Sequence, residues 1–249
     1  MIFDTHAHYD DEAFNEDREE VIDKIKKAGV GLVLNCGASI EGCFNTVELA
    51  QKYDFFYGAV GLHPHEAEKK NDLNIIGDLL SENKIVAVGE IGLDYYYPHD
   101  REKQKRLFME QMDLARQLNK PVVIHDRDAH EDTLKIIKEF KGVTGVLHCY
   151  SGSYEFAKEV VKLGYFLGFT GVVTFKNAKK TVEVVQNIPL EYILVETDCP
   201  YMAPEPNRGK RNDSSYLIYV IDKISKIKEL DYKKVEETTY NNGLRAFNL

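Results

Sequence analysis

The chain has 249 residues, 43% of them hydrophobic, and its 41 acidic residues outnumber 32 basic ones to give a formal net charge of −9. This composition supplies enough apolar side chains for a sizeable core. It argues against a protein that coats nucleic acid non-specifically, because that role needs a basic surface. A local basic patch, or a site whose positive charge comes from metal ions, stays compatible with it.

The four cysteines are scattered along the chain without a CxxC pair, which is typical of reduced thiols in a cytosolic protein. The first residues lack the basic segment and the long apolar core of a signal peptide. No run of about 18 apolar residues is present to span a bilayer. We therefore expect a cytoplasmic protein that does not associate with a membrane.

Short apolar runs alternate with amphipathic helical patterns from one end of the chain to the other. The apolar runs predict eight strands, which begin at Ile2 and then lie at 31–35, 55–60, 85–88, 121–124, 144–147, 165–169 and 192–195. The helical patterns lie at 16–28, 40–53, 72–81, 102–118, 129–140, 154–163 and 176–186, with two more near 215–228 and 232–247. Strands that are apolar throughout are buried on both faces, which is typical of a parallel sheet.

This alternation predicts an α/β fold, a closed (β/α)₈ TIM barrel in which residues 1–249 form a single domain. No linker, low-complexity tract or change in composition marks a second domain. The alternative is an open, doubly wound sheet, which normally carries a glycine-rich phosphate turn after its first strand. Here the first strand ends in a His-x-His pair, so the closed barrel is favoured.

Polar side chains follow the predicted strands at the point where each strand ends. Six of them are potential metal ligands: His6 and His8 after the first strand, Glu90 after the fourth, His125 after the fifth, His148 after the sixth and Asp198 after the eighth. His63 and His65 follow the third strand in the same way. Because the carboxyl ends of all strands meet at one mouth of a barrel, we expect these side chains to converge there.

The donor types predict which ions such a mouth would bind. Imidazole and carboxylate groups suit Zn²⁺, Mn²⁺, Co²⁺ and Ni²⁺, and the carboxylates also accept Mg²⁺. Six donors exceed what one tetrahedral ion needs. We therefore expect two divalent metal ions, with Glu90 as the bridge because it lies on a middle strand. The sequence does not fix which of these metals is native.

Neighbours of the predicted ligands are harder to assign. Residues adjacent in an extended strand point to opposite faces, so we expect Cys149 and Cys199 to point away from the mouth as packing residues. Glu196 has the same parity as Asp198, and it either reaches the site or lies behind it as a buried hydrogen-bond partner. Both interpretations of Glu196 stay open from the sequence.

Several of these segments are motifs of a known family. The motifs are Asp4-Thr5-His6-Ala7-His8, Gly61-Leu62-His63-Pro64-His65, Val88-Gly89-Glu90-Ile91-Gly92-Leu93-Asp94-Tyr95-Tyr96, His148-Cys149-Tyr150-Ser151-Gly152 and Glu196-Thr197-Asp198-Cys199-Pro200-Tyr201. Each motif alone is weak, but together and in this order they resemble the TatD family of metal-dependent deoxyribonucleases. These belong to the wider group of amidohydrolase-type metal hydrolases, and the resemblance extends over nearly the whole chain.

The resemblance implies a role for each predicted ligand. His6, His8 and Asp198 would hold one ion, His125 and His148 the other, and Glu90 would bridge the two. His63 resembles the family's residue near the scissile phosphate, so we place it with Asp198 and Glu90 among the catalytic residues. Asp198 could orient the attacking water and accept its proton.

A basic loop follows the eighth strand and completes the resemblance. The segment 206–212 contains Arg208, Lys210 and Arg211, whose side chains could grip phosphates that flank the cleaved bond. A solvated loop without a ligand is the alternative. The tyrosines at 95–97 could stack on unpaired bases or simply pack across the mouth.

These expectations combine into a metal-dependent deoxyribonuclease that hydrolyses phosphodiester bonds, with 3′-to-5′ exonuclease action on single-stranded ends. DNA would be a transient partner, and the protein a monomer or a weak oligomer. The main alternative is a small-molecule amidohydrolase or lactonase-type enzyme on the same barrel, which needs the metals but not the basic loop. A third hypothesis is that the barrel binds DNA or metal without catalysing a reaction.

Overall fold

A computed structural model describes residues 1–249, and its centre is one sheet of eight parallel strands in chain order. The strands are β1 (Ile2–Ala7), β2 (Val30–Cys36), β3 (Phe56–Val60), β4 (Ile85–Asp94), β5 (Val122–Arg127), β6 (Gly145–Leu147), β7 (Phe166–Phe169) and β8 (Ile193–Val195). Each strand pairs in parallel with the next one along the chain. The predicted TIM-barrel class is confirmed.

Nine α-helices accompany the strands. They are α1 (Arg18–Lys27), α2 (Ile40–Lys52), α3 (Leu73–Leu79), α4 (Arg101–Leu118), α5 (His130–Glu139), α6 (Tyr154–Lys162), α7 (Lys179–Asn187), α8 (Leu217–Lys228) and α9 (Tyr232–Phe247). Each matches one of the predicted helical patterns with shifts of a few residues at the ends. No helix has both the length and the apolar character that crossing a bilayer requires.

The seam between β8 and β1 is joined beyond the last residue of β8. There the Asp198 N–H donates to the His6 carbonyl at 3.0 Å, and the His8 N–H donates to the Cys199 carbonyl at 2.9 Å. Inside the barrel the buried side chain of Asp4 accepts from the Thr197 N–H at 3.0 Å. These bonds hold the first and last strands together where both carry predicted ligands.

The apolar core is divided into three clusters of buried side chains, two of which show how the barrel is filled. The largest cluster of buried side chains lies between the sheet and the helices, as the unbroken apolar strands require. A smaller cluster contains side chains from every strand except β7 and includes Phe3, Val123 and Leu194. Ala246 and Phe247 at the end of α9 pack onto this smaller cluster. The interior of the barrel is therefore filled, and the polar ligands lie above a packed floor.

Strand β4 is longer than the sequence indicates, because pairing with β5 continues through Gly92, which lies opposite His125, to Asp94. The glycines at 89 and 92 interrupt the apolar pattern, so the predicted strand ended at Val88. Gly92 has a φ of +139° and lies against the neighbouring strand, where a Cβ would sit 2.0 Å from the His125 carbonyl oxygen. Only glycine fits this position without displacing the strand that carries a predicted ligand.

Replacing Gly92 with alanine should therefore destabilise the barrel by at least about 2 kcal/mol, because it combines an unfavourable φ with a backbone clash. Urea unfolding followed by circular dichroism measures the change. Gly77→Ala in α3 is the matched control, since a Cβ there meets nothing closer than 4.0 Å. That control should unfold at the same or a higher urea concentration. A Gly92→Ala protein as stable as the parent would contradict the packing described here.

Candidate metal centre

The six predicted ligands meet at the C-terminal mouth of the barrel, and Glu90 lies between two groups of them. One carboxylate oxygen of Glu90, Oε2, is 3.4 Å from His6 Nε2 and 3.5 Å from His8 Nε2. Asp198 Oδ1 is 3.6 Å and 3.4 Å from the same two nitrogens, which are themselves 3.0 Å apart. His6, His8, Asp198 and Glu90 form the first donor set.

The other oxygen of Glu90 faces the second donor set. Glu90 Oε1 is 2.9 Å from His125 Nδ1 and 2.8 Å from His148 Nε2. The two imidazole nitrogens are 3.2 Å apart. Glu90 thus presents one oxygen to each set, which is the arrangement predicted for a bridging carboxylate.

The spacing within both sets fits a bound cation. A tetrahedral ion with donors at about 2.1 Å requires those donors to be about 3.4 Å apart, and an octahedral ion requires about 3.0 Å. The measured separations of 3.0–3.6 Å in the first set and 2.8–3.2 Å in the second set cover these values. The donors are nitrogen and oxygen atoms, which suits the divalent ions considered above.

The electrostatics of the site centre on the buried carboxylate of Glu90. Burial alone would raise the pKa of Glu90, but the nearby histidines, His148 foremost, hold it well below its ordinary value. Burial would lower the pKa of His8, but the hydrogen bond to Asp198 and the charge of Glu90 raise it to about 10. The contacts with Asp94 and Glu90 likewise outweigh burial and raise the pKa of His125 to about 9. Glu90 therefore stays ionised beside protonated His8 and His125, and a metal ion that binds here must displace the protons of these two imidazoles.

Asp94 orients one histidine of the second set, and Glu196 lies behind the other and accepts a hydrogen bond from the Cys149 N–H. Asp94 Oδ2 is 3.2 Å from His125 Nε2, on the side of the ring opposite Glu90, and a carboxylate in this place fixes the orientation of a ligand imidazole. Glu196 is fully buried behind His148, with Oε1 3.8 Å from His148 Nδ1. Gly168 makes room for it, because a Cβ there would lie 2.0 Å from Glu196 Oε2. Of the two interpretations left open, Glu196 therefore takes the position behind the site.

His63 lies beside the second set with a defined direction. Its Nδ1 accepts the His65 N–H at 3.2 Å, so the ring proton belongs on Nε2. His63 Nε2 points towards the centre and is 3.7 Å from Glu90 Oε1. Burial holds the pKa of His63 well below its ordinary value. His63 thus offers a neutral N–H donor at the edge of the donor sets.

A cavity of about 800 Å³ opens above the donor sets. Its lining includes Arg127, whose guanidinium stacks 3.8 Å above the ring of Tyr96 and lies 5.5 Å from that of Tyr97. Both tyrosines are exposed at the rim. Tyr95 is different, because its hydroxyl donates to Asp132 at 2.7 Å and it packs in the wall. The run 95–97 thus contains one packing residue and two rim residues.

Sequence reasoning missed Arg127 and misplaced one cysteine. Arg127 follows His125 by two residues on β5, and this shared parity was the signal that could have identified it. Cys199 is buried away from the mouth as predicted, but the prediction is wrong for Cys149, which lines the cavity. The reason is that Cys149 has a left-handed φ of +44°, so the alternation of an extended strand ends at His148.

The three predicted phosphate-binding residues lie outside the lining of the cavity. Arg211 forms a paired contact with Asp17, with distances of 2.9 Å and 2.5 Å, and is thereby engaged within the protein. Arg208 stacks 4.2 Å above the ring of Phe175. Lys210 is exposed and lies 3.3 Å from the side-chain oxygen of Asn207. Their role in substrate binding stays a prediction, and Arg208 and Lys210 are better placed for it than Arg211.

An eight-stranded parallel barrel with two histidine–carboxylate donor sets at its C-terminal mouth defines the class of metal-dependent barrel hydrolases. Residues 3–248 match the model of the family described as TatD related DNase. The chain therefore belongs to the TatD family, as the motifs indicated.

Relatives agree with this assignment along their whole length. The chain is 42% identical over 254 residues to the uncharacterized metal-dependent hydrolase YabD of Bacillus subtilis, with all of both chains covered. It is 34% identical to the uncharacterized metal-dependent hydrolase YcfH of Escherichia coli K12, with 100% of this chain and 96% of that protein covered. The crystal structure of YjjV, a TatD homolog from Escherichia coli K12, superimposes with a TM-score of 0.95 at 32% identity, covering 100% of this chain and 98% of that one.

Proposed function

We propose that this metal-dependent hydrolase is a deoxyribonuclease that uses two divalent ions to cleave phosphodiester bonds at single-stranded 3′ ends. The observation that carries the proposal is the position of Glu90, which turns one oxygen to each of two donor sets. His6, His8 and Asp198 would hold one ion and His125 and His148 the other, and such a pair would neutralise an anionic phosphodiester and lower the pKa of water towards neutrality. The family description, TatD related DNase, supports the same substrate.

The protein's own side chains would carry out the proton transfer and the substrate binding that the reaction requires. Asp198 lies at the edge of the first set, where its carboxylate can accept a proton from the attacking water. His63 directs its Nε2–H into the site and can donate a hydrogen bond to a phosphate oxygen. Arg127 adds a fixed positive charge to the wall of the cavity. Tyr96 and Tyr97 present exposed rings at the rim on which an unpaired base can stack.

The test is hydrolysis of single-stranded DNA labelled at either end by purified protein, supplied in turn with Mg²⁺, Mn²⁺, Co²⁺ and Zn²⁺. We expect mononucleotides to be released from the 3′ end with at least one metal and no release after chelation. A strand blocked by a 3′ phosphorothioate bond should be degraded far more slowly. This comparison separates exonuclease action from internal cleavage.

Other results would redirect the assignment. DNA that stays intact with every metal, while an amide, ester or lactone is hydrolysed, would favour the small-molecule amidohydrolase or lactonase-type alternative. Protein that binds metal and DNA but turns over neither kind of substrate would favour the non-catalytic barrel. Metal-dependent release of nucleotides excludes both readings.

A further inference from the structure

Two segments beside the mouth, one that runs from the loop after β7 into the first turn of α7 and one that is the loop after β8, carry five lysine and arginine side chains that the donor sets do not use. They follow β7 and β8, and their exposed cations are Lys176, Lys179, Lys180, Arg208 and Lys210, which we call the basic ridge. In a chain with a net charge of −9, five cations in these two short segments are an uneven distribution of charge. Of these five residues, only Arg208 and Lys210 were predicted from the sequence to bind substrate.

The two loops form one surface because they are bonded to each other. The Glu205 N–H donates to the Thr174 hydroxyl oxygen at 2.9 Å. Arg208 from the second loop stacks 4.2 Å above Phe175 from the first. Because these contacts join the two segments, the cations on both of them form one continuous patch.

The basic ridge borders the cavity above the metal centre. Thr181, which directly follows Lys180, lines that cavity, and so does Met202 at the start of the second loop. The pKa of His130 is raised by its hydrogen bond to Asp126, and the positive charge of Lys180 partly opposes this shift. Lys180 thus lies near the loop that follows β5, on the same end of the barrel.

None of the five cations forms an ion pair within the protein, although acidic side chains are close in sequence. Glu183 and Glu205 lie in the same segments, and neither pairs with the basic ridge. Arg211, by contrast, is paired with Asp17. Tyr201 and Met202, at the start of the second loop, are exposed hydrophobic side chains beside these cations, so the test must separate strand binding from membrane binding.

We propose that the basic ridge binds the phosphate backbone of the nucleic acid strand whose end occupies the cavity, so that the strand leaves the mouth across the loops after β7 and β8. This proposal rests on the proposed function and adds a binding surface to it. Exposed, unpaired cations attract a polyanion by releasing its counterions. The strand would therefore leave the cavity past Thr181 and Met202, while Arg127 and Tyr96, at the ends of β5 and β4, would face its terminal nucleotide.

Salt dependence of binding tests this surface. Metal-loaded protein is titrated against a fluorescein-labelled phosphorothioate oligothymidylate, which keeps the backbone charge, and the dissociation constant is measured by anisotropy over a range of salt concentrations. Five contacts predict a slope of about −3.5 in a plot of the logarithm of the association constant, the reciprocal of that dissociation constant, against the logarithm of the salt concentration. Lys176→Gln, Lys179→Gln and Lys180→Gln together should make the slope shallower by about 2 and weaken binding at least about tenfold at low salt.

The matched control removes three exposed, unpaired lysines from the other end of the barrel: Lys27, Lys233 and Lys234. It should leave the slope unchanged, and metal content of both triple variants should equal that of the parent. Equal effects of the two triple variants, no effect of the ridge variant, or ridge-dependent binding to phosphatidylserine vesicles instead of the strand would each overturn the proposal. Parent protein that hydrolyses DNA in the same series shows that such a failure concerns the ridge and not the proposed function.

Discussion

Glu90→Gln should abolish the shared metal centre and lower hydrolysis by on the order of 10³-fold, equivalent to about 4 kcal/mol of barrier. The two carboxylate oxygens lie 2.8–3.5 Å from four histidine nitrogens, one from each of four different histidines. The amide has nearly the same shape but no negative charge, and it turns an NH₂ group towards one of the two donor sets. One set then faces a donor where a cation needs an acceptor.

Metal analysis separates this effect from misfolding. The parent should contain two ions per chain after loading and desalting, and Glu90→Gln at most one, with an unchanged circular dichroism spectrum. Glu110→Gln on the exposed surface of α4 is the matched control and should keep both the metal and the activity. A Glu90→Gln protein that retains two ions and more than about a tenth of the parental rate would refute the bridging role.

The convergence of the six candidate ligands could be predicted because it depends on strand positions, and the strands are visible as apolar runs. A parallel barrel places every strand's carboxyl end at one mouth, so His125 and His148 could be brought together without knowledge of any loop. The same reasoning located Glu90 correctly even though β4 continues beyond it to Asp94. When the predicted end of a strand is wrong, the predicted positions of the residues within that strand stay correct.

Loop positions were predicted less well because contacts distant in sequence determine them. Arg211 looked like a free phosphate ligand, but Asp17, near the start of α1, binds it. Cys149 and Asp198 have left-handed φ values of +44° and +55°, so alternation along a strand no longer describes which way their neighbours point. The lysines at 176, 179 and 180 could not be grouped with Arg208 from the sequence, because the contacts of Thr174 and Phe175 with the loop of Arg208 join residues about 30 positions apart.

Asp198 is expected to have the second large effect, since it combines a ligand position with a proton-accepting role. Burial alone would raise the pKa of Asp198, but the hydrogen bond to His8 and the charges of the surrounding histidines hold it below its ordinary value. The carboxylate is therefore ionised at neutral pH, as an acceptor of a proton must be. Asp198→Asn keeps an oxygen that can face the first donor set and removes the charge and the basicity.

We expect Asp198→Asn to lower kcat by on the order of 10³-fold while KM for DNA changes little, because the group acts on the attacking water more than on substrate binding. The second donor set does not include Asp198, so at least one ion per chain should remain. Asp11→Asn, which changes a carboxylate at the rim outside both donor sets, should keep most of the activity. If Asp198→Asn instead raised KM with kcat preserved, Asp198 would be a binding residue, and the proton acceptor would have to be sought elsewhere in the mouth.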